Sequence, residues 1–334
     1  MADRSKAAPV VLAGDVGGTN TRLALFAAGG REPAALEVYP SADHASLDEI
    51  VAEFRAANPL PIAAATVGVA GPVRDGHVEV VNLPWPVDAG SLAATIGLPT
   101  ARVTVINDLE AAAWGVLELG EDDLRQINDG VAVEGGTVAL LSLGTGLGEA
   151  FITFGPGGPT VHASEGGHVE FGARSQLESE LREWLAQADS HVSYEDVCSG
   201  MGLVRVYEFL RSRASDPEPE WLPAEGAGDA AAAISRAAIE GRDPLASQAL
   251  DLVISIFGAQ AGNLALTVLA TGGVYLGGGI APKILPRLED GPFMDAFATK
   301  GRLSAVVEAI PVRVVLNELT GLLGAASHAR ARGL

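Results

Sequence analysis

Two stretches of this chain follow one plan, and that repeat limits the folds open to it. Residues 9–13 and 23–26 are apolar runs joined by the turn Gly14-Asp15-Val16-Gly17-Gly18-Thr19-Asn20. Residues 138–143 and 150–154 are joined in the same way by Gly144-Thr145-Gly146-Leu147-Gly148. Apolar runs bounded by glycine-rich turns read as paired strands. A hairpin that recurs once suggests two related α/β halves facing each other. Glycines let a backbone approach a ligand closely and aim several N–H groups at one spot, which suits phosphate. Asp15 would repel a phosphate unless a cation sat between them, so the first turn suggests Mg²⁺. Either turn alone could be a buried tight turn, with Asp15 as a turn former. Two such turns could clasp a polyphosphate from both sides, and the pairing is more specific than either member.

Composition narrows the partners. The chain has 334 residues and a formal net charge of -20. That acidity argues against nucleic acid and anionic membranes as partners. A polyanionic ligand would have to be held by local dipoles and metal. Lys6, Lys283 and Lys300 are the only lysines. Cys198 is the only cysteine, which excludes an intrachain disulfide and a cysteine-rich zinc site and points to a reducing compartment. The first six residues carry no apolar core of a signal peptide. Residues 252–280 are the most apolar segment, but Gln260, Asn263, Thr267 and Thr271 interrupt it. A buried helix followed by a strand explains it better than a membrane span.

Further along, strands are expected over 37–39, 63–69, 103–106, 274–276 and 312–316. Helices are expected over 46–57, 91–96, 109–119, 178–186, 201–213, 230–240, 244–269 and 320–330. Residues 73–81 read as a hairpin turning at Arg74-Asp75-Gly76, followed by a stiff loop over 82–86. Residues 215–227 read as an exposed, proline-rich loop. The strand 103–106 runs into Asn107-Asp108 and then a helix. Ligands of open α/β sheets sit at the carboxyl ends of strands, so Asp108 is a candidate catalytic residue. It is equally a candidate N-cap, and the two roles are compatible. Residues 161–172 contain Glu165-Gly166-Gly167-His168 and Glu170, read here as one polar loop. Carboxylates and imidazole there suit a hydroxylated small molecule such as a sugar. A metal site and a solvated turn are the other readings. Ser193 and Asp196 have capping-box spacing, which leaves Glu195 unexplained. Gly277-Gly278-Gly279, between a strand and a helix, permit close approach to something flat such as a nucleobase and ribose, or form a plain loop.

Asp15-Val16-Gly17-Gly18-Thr19-Asn20, Leu143-Gly144-Thr145-Gly146-Leu147-Gly148, Ser164-Glu165-Gly166-Gly167-His168 and Leu276-Gly277-Gly278-Gly279-Ile280-Ala281-Pro282 occur in that order. In this the chain resembles the bacterial glucokinase family, within the superfamily of sugar kinases, actin and heat-shock chaperones. The resemblance spans nearly the whole chain. It implies an α/β fold of two actin-like (ribonuclease H-like) domains around a central cleft that closes on ATP and glucose. The implied small domain is 1–109 plus 320–334, and the large one is 110–319. It also implies a cytoplasmic enzyme, often a homodimer, that makes glucose 6-phosphate.

Carried over by position, Gly14, Asp15, Val16, Gly17, Gly18, Thr19 and Asn20 resemble the first phosphate loop, with Asp15 holding Mg²⁺ through water. Gly144, Thr145 and Gly146 resemble the second phosphate loop, and Gly277, Gly278 and Gly279 the adenosine motif. Asn107, Asp108, Glu165, His168 and Glu195 match glucose-contacting positions, and Asp108 matches the general base. The neighbouring ROK group carries a cysteine-rich zinc motif after its Gly-His loop. Here Phe171-Gly172-Ala173-Arg174 follows instead, which argues for the non-ROK branch. A kinase of mannose or fructose, a polyphosphate-using kinase and a non-catalytic sugar-binding regulator are the alternatives.

Overall fold

The computed structural model describes residues 9–80, 83–214, 219–222 and 230–333. The expected absence of a leader, the ends of the 73–81 hairpin and 82–86 loop, and most of the expected loop at 215–227 lie outside the described residues. The chain forms two compact units, Met1–Glu121 with Asn317–Leu334, and Asp122–Leu316.

The first unit runs β1 (Val10–Val16), β2 (Asn20–Ala27), β3 (Pro33–Pro40), α1 (Leu47–Ala57), β4 (Ile62–Val69), β5 (His77–Glu79), β6 (Pro86–Asp88), α2 (Ala89–Ile96), β7 (Val103–Asn107) and α3 (Asp108–Val116). Its main sheet has the order β3-β2-β1-β4-β7. The hairpins pair antiparallel, whereas β1, β4 and β7 are mutually parallel. Side chains alternate between faces along a strand. Leu12, Leu23, Leu25, Val67 and Val105 pack with Ile50, Phe54 and Leu92 of α1 and α2. Val11, Ala13, Ala24, Phe26 and Ala64 form the opposite face.

The second unit runs β8 (Leu124–Gln126), β9 (Val138–Leu143), β10 (Leu147–Gly155), β11 (Gly158–Ser164), α4 (Gln176–Leu185), α5 (Gly200–Ala214), α6 (Ala230–Ile239), α7 (Pro244–Thr267), β12 (Gly273–Gly277), α8 (Leu285–Glu289), α9 (Pro292–Ala298), α10 (Ser304–Glu308) and β13 (Val312–Val315). The sheet order is β11-β10-β9-β12-β13-β8. Removing β8 leaves the order and strand directions of the first sheet, so the repeated hairpin is the visible part of a duplicated five-stranded sheet. α7 is long and apolar enough to cross a membrane by composition, but its apolar stretch is mostly buried inside this unit, as expected of a core helix.

The last helix, α11 (Thr320–Gly333), returns to the first unit, where Leu322, Leu323, Ala325, Ala326 and Ala329 cover the small-residue face of the sheet. It crosses α3 at glycines: a Cβ on Gly115 would collide with the Thr320 carbonyl, and one on Gly324 with the Ala111 carbonyl. The unit boundaries therefore differ from the expected joints at 109/110 and 319/320. The first of those falls inside α3, and the α3–α11 contact keeps that helix whole with the first unit.

Two local expectations need correction. Arg74 and His77 do exchange backbone hydrogen bonds, 2.9 Å each, around Asp75 and Gly76 at positive φ. Beyond that turn, however, β5 pairs with β6, which starts at Pro86 in the segment read as a stiff loop. Proline is tolerated at the first residue of a strand because no ladder N–H is needed there. Residues 161–164, read as part of a polar loop, are the end of β11; the loop begins at Glu165.

Candidate active site

In the first unit, the candidate residues lie at the carboxyl ends of β1 and β7, the parallel strands on either side of β4. Asp15 is the penultimate residue of β1 and stands opposite Arg22 of β2. Gly14 and Val16 are strand residues of the interior: both are buried, and the Val16 carbonyl accepts from the Ala70 N–H. The turn itself is Gly17, Gly18 and Thr19, closed by Gly17 N–H donating to the Asn20 carbonyl at 3.0 Å. Ser41, which no sequence motif singles out, braces it. Its hydroxyl donates to the Gly17 carbonyl at 2.8 Å, its N–H donates to the Thr19 carbonyl, and its oxygen lies 3.0 Å from the Thr21 hydroxyl. Ser41 is fully buried.

At the end of β7, the cap of α3 is Asn107, not Asp108. Asn107 has extended backbone, and its Oδ1 accepts from the N–H groups of Leu109 and Glu110. Its Nδ2 donates to the Gly71 carbonyl at 3.1 Å. The Ala70-Gly71-Pro72 turn thus orients Asn107. Asp108 is the first helical residue and is exposed, with Oδ1 accepting from the Leu109 N–H. Burial pushes the Asp15 carboxyl above the usual carboxylate range; Arg22 opposes the shift, and the Asp108 charge adds to it.

In the second unit, the turns after β9 and β12 lie side by side, because these strands are parallel neighbours with Ser142 opposite Gly277. Gly278 has φ +84°, and a Cβ there would collide with the Leu143 backbone. Only glycine lets the two turns approach this closely. Gly144, Thr145 and Gly279 line a cavity of about 730 Å³, closed by Ser199, Ser235 and Lys283 among others. The α6 wall was not legible in the sequence, since a run of alanines carries no binding signal. Lys283 carried one, as one of three lysines placed just after a glycine motif.

Glu165 and His168 are exposed at the two ends of a short 3₁₀ turn, and Glu170 follows it. Glu195 joins them: its N–H donates to the Gly167 carbonyl, and its Oε1 lies 3.8 Å from His168 Nε2. Its Oε2 also accepts from the Leu147 N–H at 2.8 Å, and a Cβ on Gly146 would collide with that oxygen. Ser193 and Asp196 form the reciprocal bonds of a capping box, but around a turn that precedes the helix by several residues. The structure therefore brings His168 and Glu195 together beside the Gly144–Gly146 turn, with Glu165 at the other end of the same 3₁₀ turn. Among the described residues, no group of three or more His, Cys, Asp or Glu could hold a metal ion.

The glucokinase family model matches residues 12–332. A glucokinase from Synechocystis is 41% identical, with 94% of this chain and 96% of the relative covered. The chain belongs to the glucokinase family. The crystal structure of a glucokinase from an Antarctic psychrotroph matches with a TM-score of 0.85 and 30% identity, covering 96% of this chain and 99% of that one. A ROK family glucokinase from Streptomyces griseus, in complex with glucose and AMPPNP, matches with a TM-score of 0.65 and 24% identity, covering 96% and 99%. That likeness is one of fold: the family's actin-like two-domain α/β architecture.

Proposed function

We propose that this protein transfers the γ-phosphoryl group of ATP to the 6-hydroxyl of glucose, giving glucose 6-phosphate and ADP. The observation that carries the reading is Asp108: an exposed carboxylate at the carboxyl end of β7, in the same sheet as the Asp15 turn, in a chain of the glucokinase family. The hydroxyl oxygen attacks the γ-phosphorus, the bond to the bridging oxygen of ADP breaks, and Asp108 takes the hydroxyl proton. Asn107, Glu165, His168 and Glu195 hold the sugar hydroxyls. Backbone N–H groups of the Gly17–Gly18–Thr19 and Gly144–Thr145–Gly146 turns hold phosphate oxygens, and the cavity beside Gly279 takes the adenosine.

The donor set fits a magnesium ion. Asp15 offers hard carboxylate oxygens at the carboxyl end of β1, where burial raises its pKa and Arg22 offsets only part of the shift. With no multi-residue protein cage among the described residues, Asp15 would hold the ion through water and the direct ligands would be phosphate oxygens and water, the usual arrangement for this ion. When bound, the ion neutralises charge between Asp15 and the phosphates. The reading also includes the non-ROK branch, supported by the single, buried Cys198. It includes a cytoplasmic homodimer at the entry to glycolysis, without nucleic-acid or membrane partners, in line with the net charge of -20.

The test is ADP release across glucose, mannose and fructose, with the wild type and Asp108→Asn. Glucose-dependent release that Asp108→Asn abolishes is the expected result. Release that ignores the sugar, or a preference for mannose or fructose, would replace the proposed substrate.

A further inference from the structure

Behind the Glu165–His168 turn lies a row of polar side chains that phosphoryl transfer does not use. Lys300 Nζ donates to Asn263 Oδ1 at 2.7 Å and to the Ala259 carbonyl at 2.8 Å. Asn263 Nδ2 donates to Gln260 Oε1 at 3.3 Å and to the Tyr194 hydroxyl oxygen at 3.2 Å. Gln260 Nε2 donates to Glu149 Oε1 at 2.8 Å. Glu149 is 2% exposed and Gln260 4%. The ends dictate the direction of the row: an ammonium has only donors, and an ionised carboxylate only acceptors. Both amides must therefore point the same way. A buried network of this kind stabilises when complete and is costly when one member is wrong.

The row reaches both sides of the proposed hexose site. Glu149 stands opposite Ser164 across β10 and β11, and its Oε2 lies so close to Gly166 that a Cβ there would collide with it. Tyr194 immediately precedes Glu195, whose N–H is tied to Gly167. At the far end, Gly262 makes room for Lys300: a Cβ there would lie 2.5 Å from Lys300 Cε.

We propose that Lys300, Asn263, Gln260 and Glu149 are positioning residues that set Glu165 and His168 against Glu195, and so determine hexose affinity without touching the hexose. The proposal rests on the reading of those three residues as hexose ligands.

Steady-state kinetics of the full-length protein test it. Gln260→Glu puts two carboxylates face to face and should raise the glucose KM about tenfold, leaving the ATP KM within about twofold. The double variant E149Q/Q260E exchanges amide and carboxylate, so the amide at 149 donates to the carboxylate at 260 and each contact again pairs a donor with an acceptor, with the last bond reversed; its glucose KM should return to within about twofold of wild type. An unchanged KM in Q260E, or a double variant as impaired as Q260E, overturns the proposal. If Q260E does not fold, Lys300→Met and Lys300→Arg decide: a raised glucose KM in K300M that K300R spares supports the row, and equal values overturn it. Glu165→Ala separates the two readings. An unchanged glucose KM in E165A refutes the hexose site itself, whereas a raised one beside an unaffected Q260E refutes the positioning row alone.

Discussion

Asp15 sits where the proposed chemistry and the stability of the fold pull apart. In the folded chain, burial lets its carboxyl keep a proton to higher pH than in the unfolded chain, whose carboxyl has the ordinary value of 3.8. The stability it contributes is present below that value and is lost as pH rises through the folded pKa. Charged Asp15 is therefore a cost at neutral pH. Asp15→Asn should raise stability at pH 7 by about 1 kcal/mol and lose most of its activity, a common trade at functional sites. Thermal melts at pH 7 and pH 3.5 check the sign, because the two proteins should converge at the lower pH. Asp108 makes the opposite case. It is exposed and the helix cap is Asn107, so Asp108→Asn should lower kcat by about 10²–10⁴ with the melting temperature unchanged. The sequence left the cap undecided because Asn and Asp are both good caps. The extended backbone of Asn107 decided it.

At the scale of elements, α3 and α11 form the contact that sequence periodicity describes least. Small residues leave little amphipathic signal, yet they let the two helix backbones touch. Gly324→Ala would force a methyl against the Ala111 carbonyl. It should cost about 1–3 kcal/mol, read as a lower unfolding midpoint in urea with kcat little changed. α11 also carries His328, 4% exposed, with Nδ1 3.1 Å from the Thr66 hydroxyl and its ring edge-on to Trp114. Burial, aided by the Arg332 charge, pushes its pKa down to about 4. The folded protein then resists a proton that the unfolded chain accepts from about pH 6.5 downward. Stability from this group is complete above pH 6.5 and is lost as pH falls towards 4, by a total on the order of 1–3 kcal/mol. His328→Gln should flatten that part of the melting-temperature profile relative to wild type. Equal slopes for the two proteins would remove His328 as its cause.

At the scale of the whole molecule, the duplicated sheet explains why two distant glycine turns read alike. Each is the hairpin turn after the first strand of the duplicated five, one between β1 and β2 and one between β9 and β10. The proposed homodimer predicts a sedimentation mass of twice 34.1 kDa. A mass of one chain at every concentration tried would withdraw it. The acidic composition, with a net charge of -20, fits the proposal that backbone dipoles at the two turns, rather than a basic field, hold the phosphates.

The sequence by itself determined the turns, the strand-end placement of Asp108 and the repeat, because glycine spacing and apolar runs are local signals. From these the α/β class, the family and most of the candidate site residues could be read. Only the tertiary structure decided which of two adjacent residues caps α3, that Ser41 braces the first turn, and that Glu195 joins the Gly144–Gly146 turn to the Glu165–His168 turn. It alone lined up Lys300, Asn263, Gln260 and Glu149. These four residues are scattered over half the chain, and nothing in their local sequence says that donor will meet acceptor. That is settled when α7 packs behind β10 and the segment after α9 folds over it.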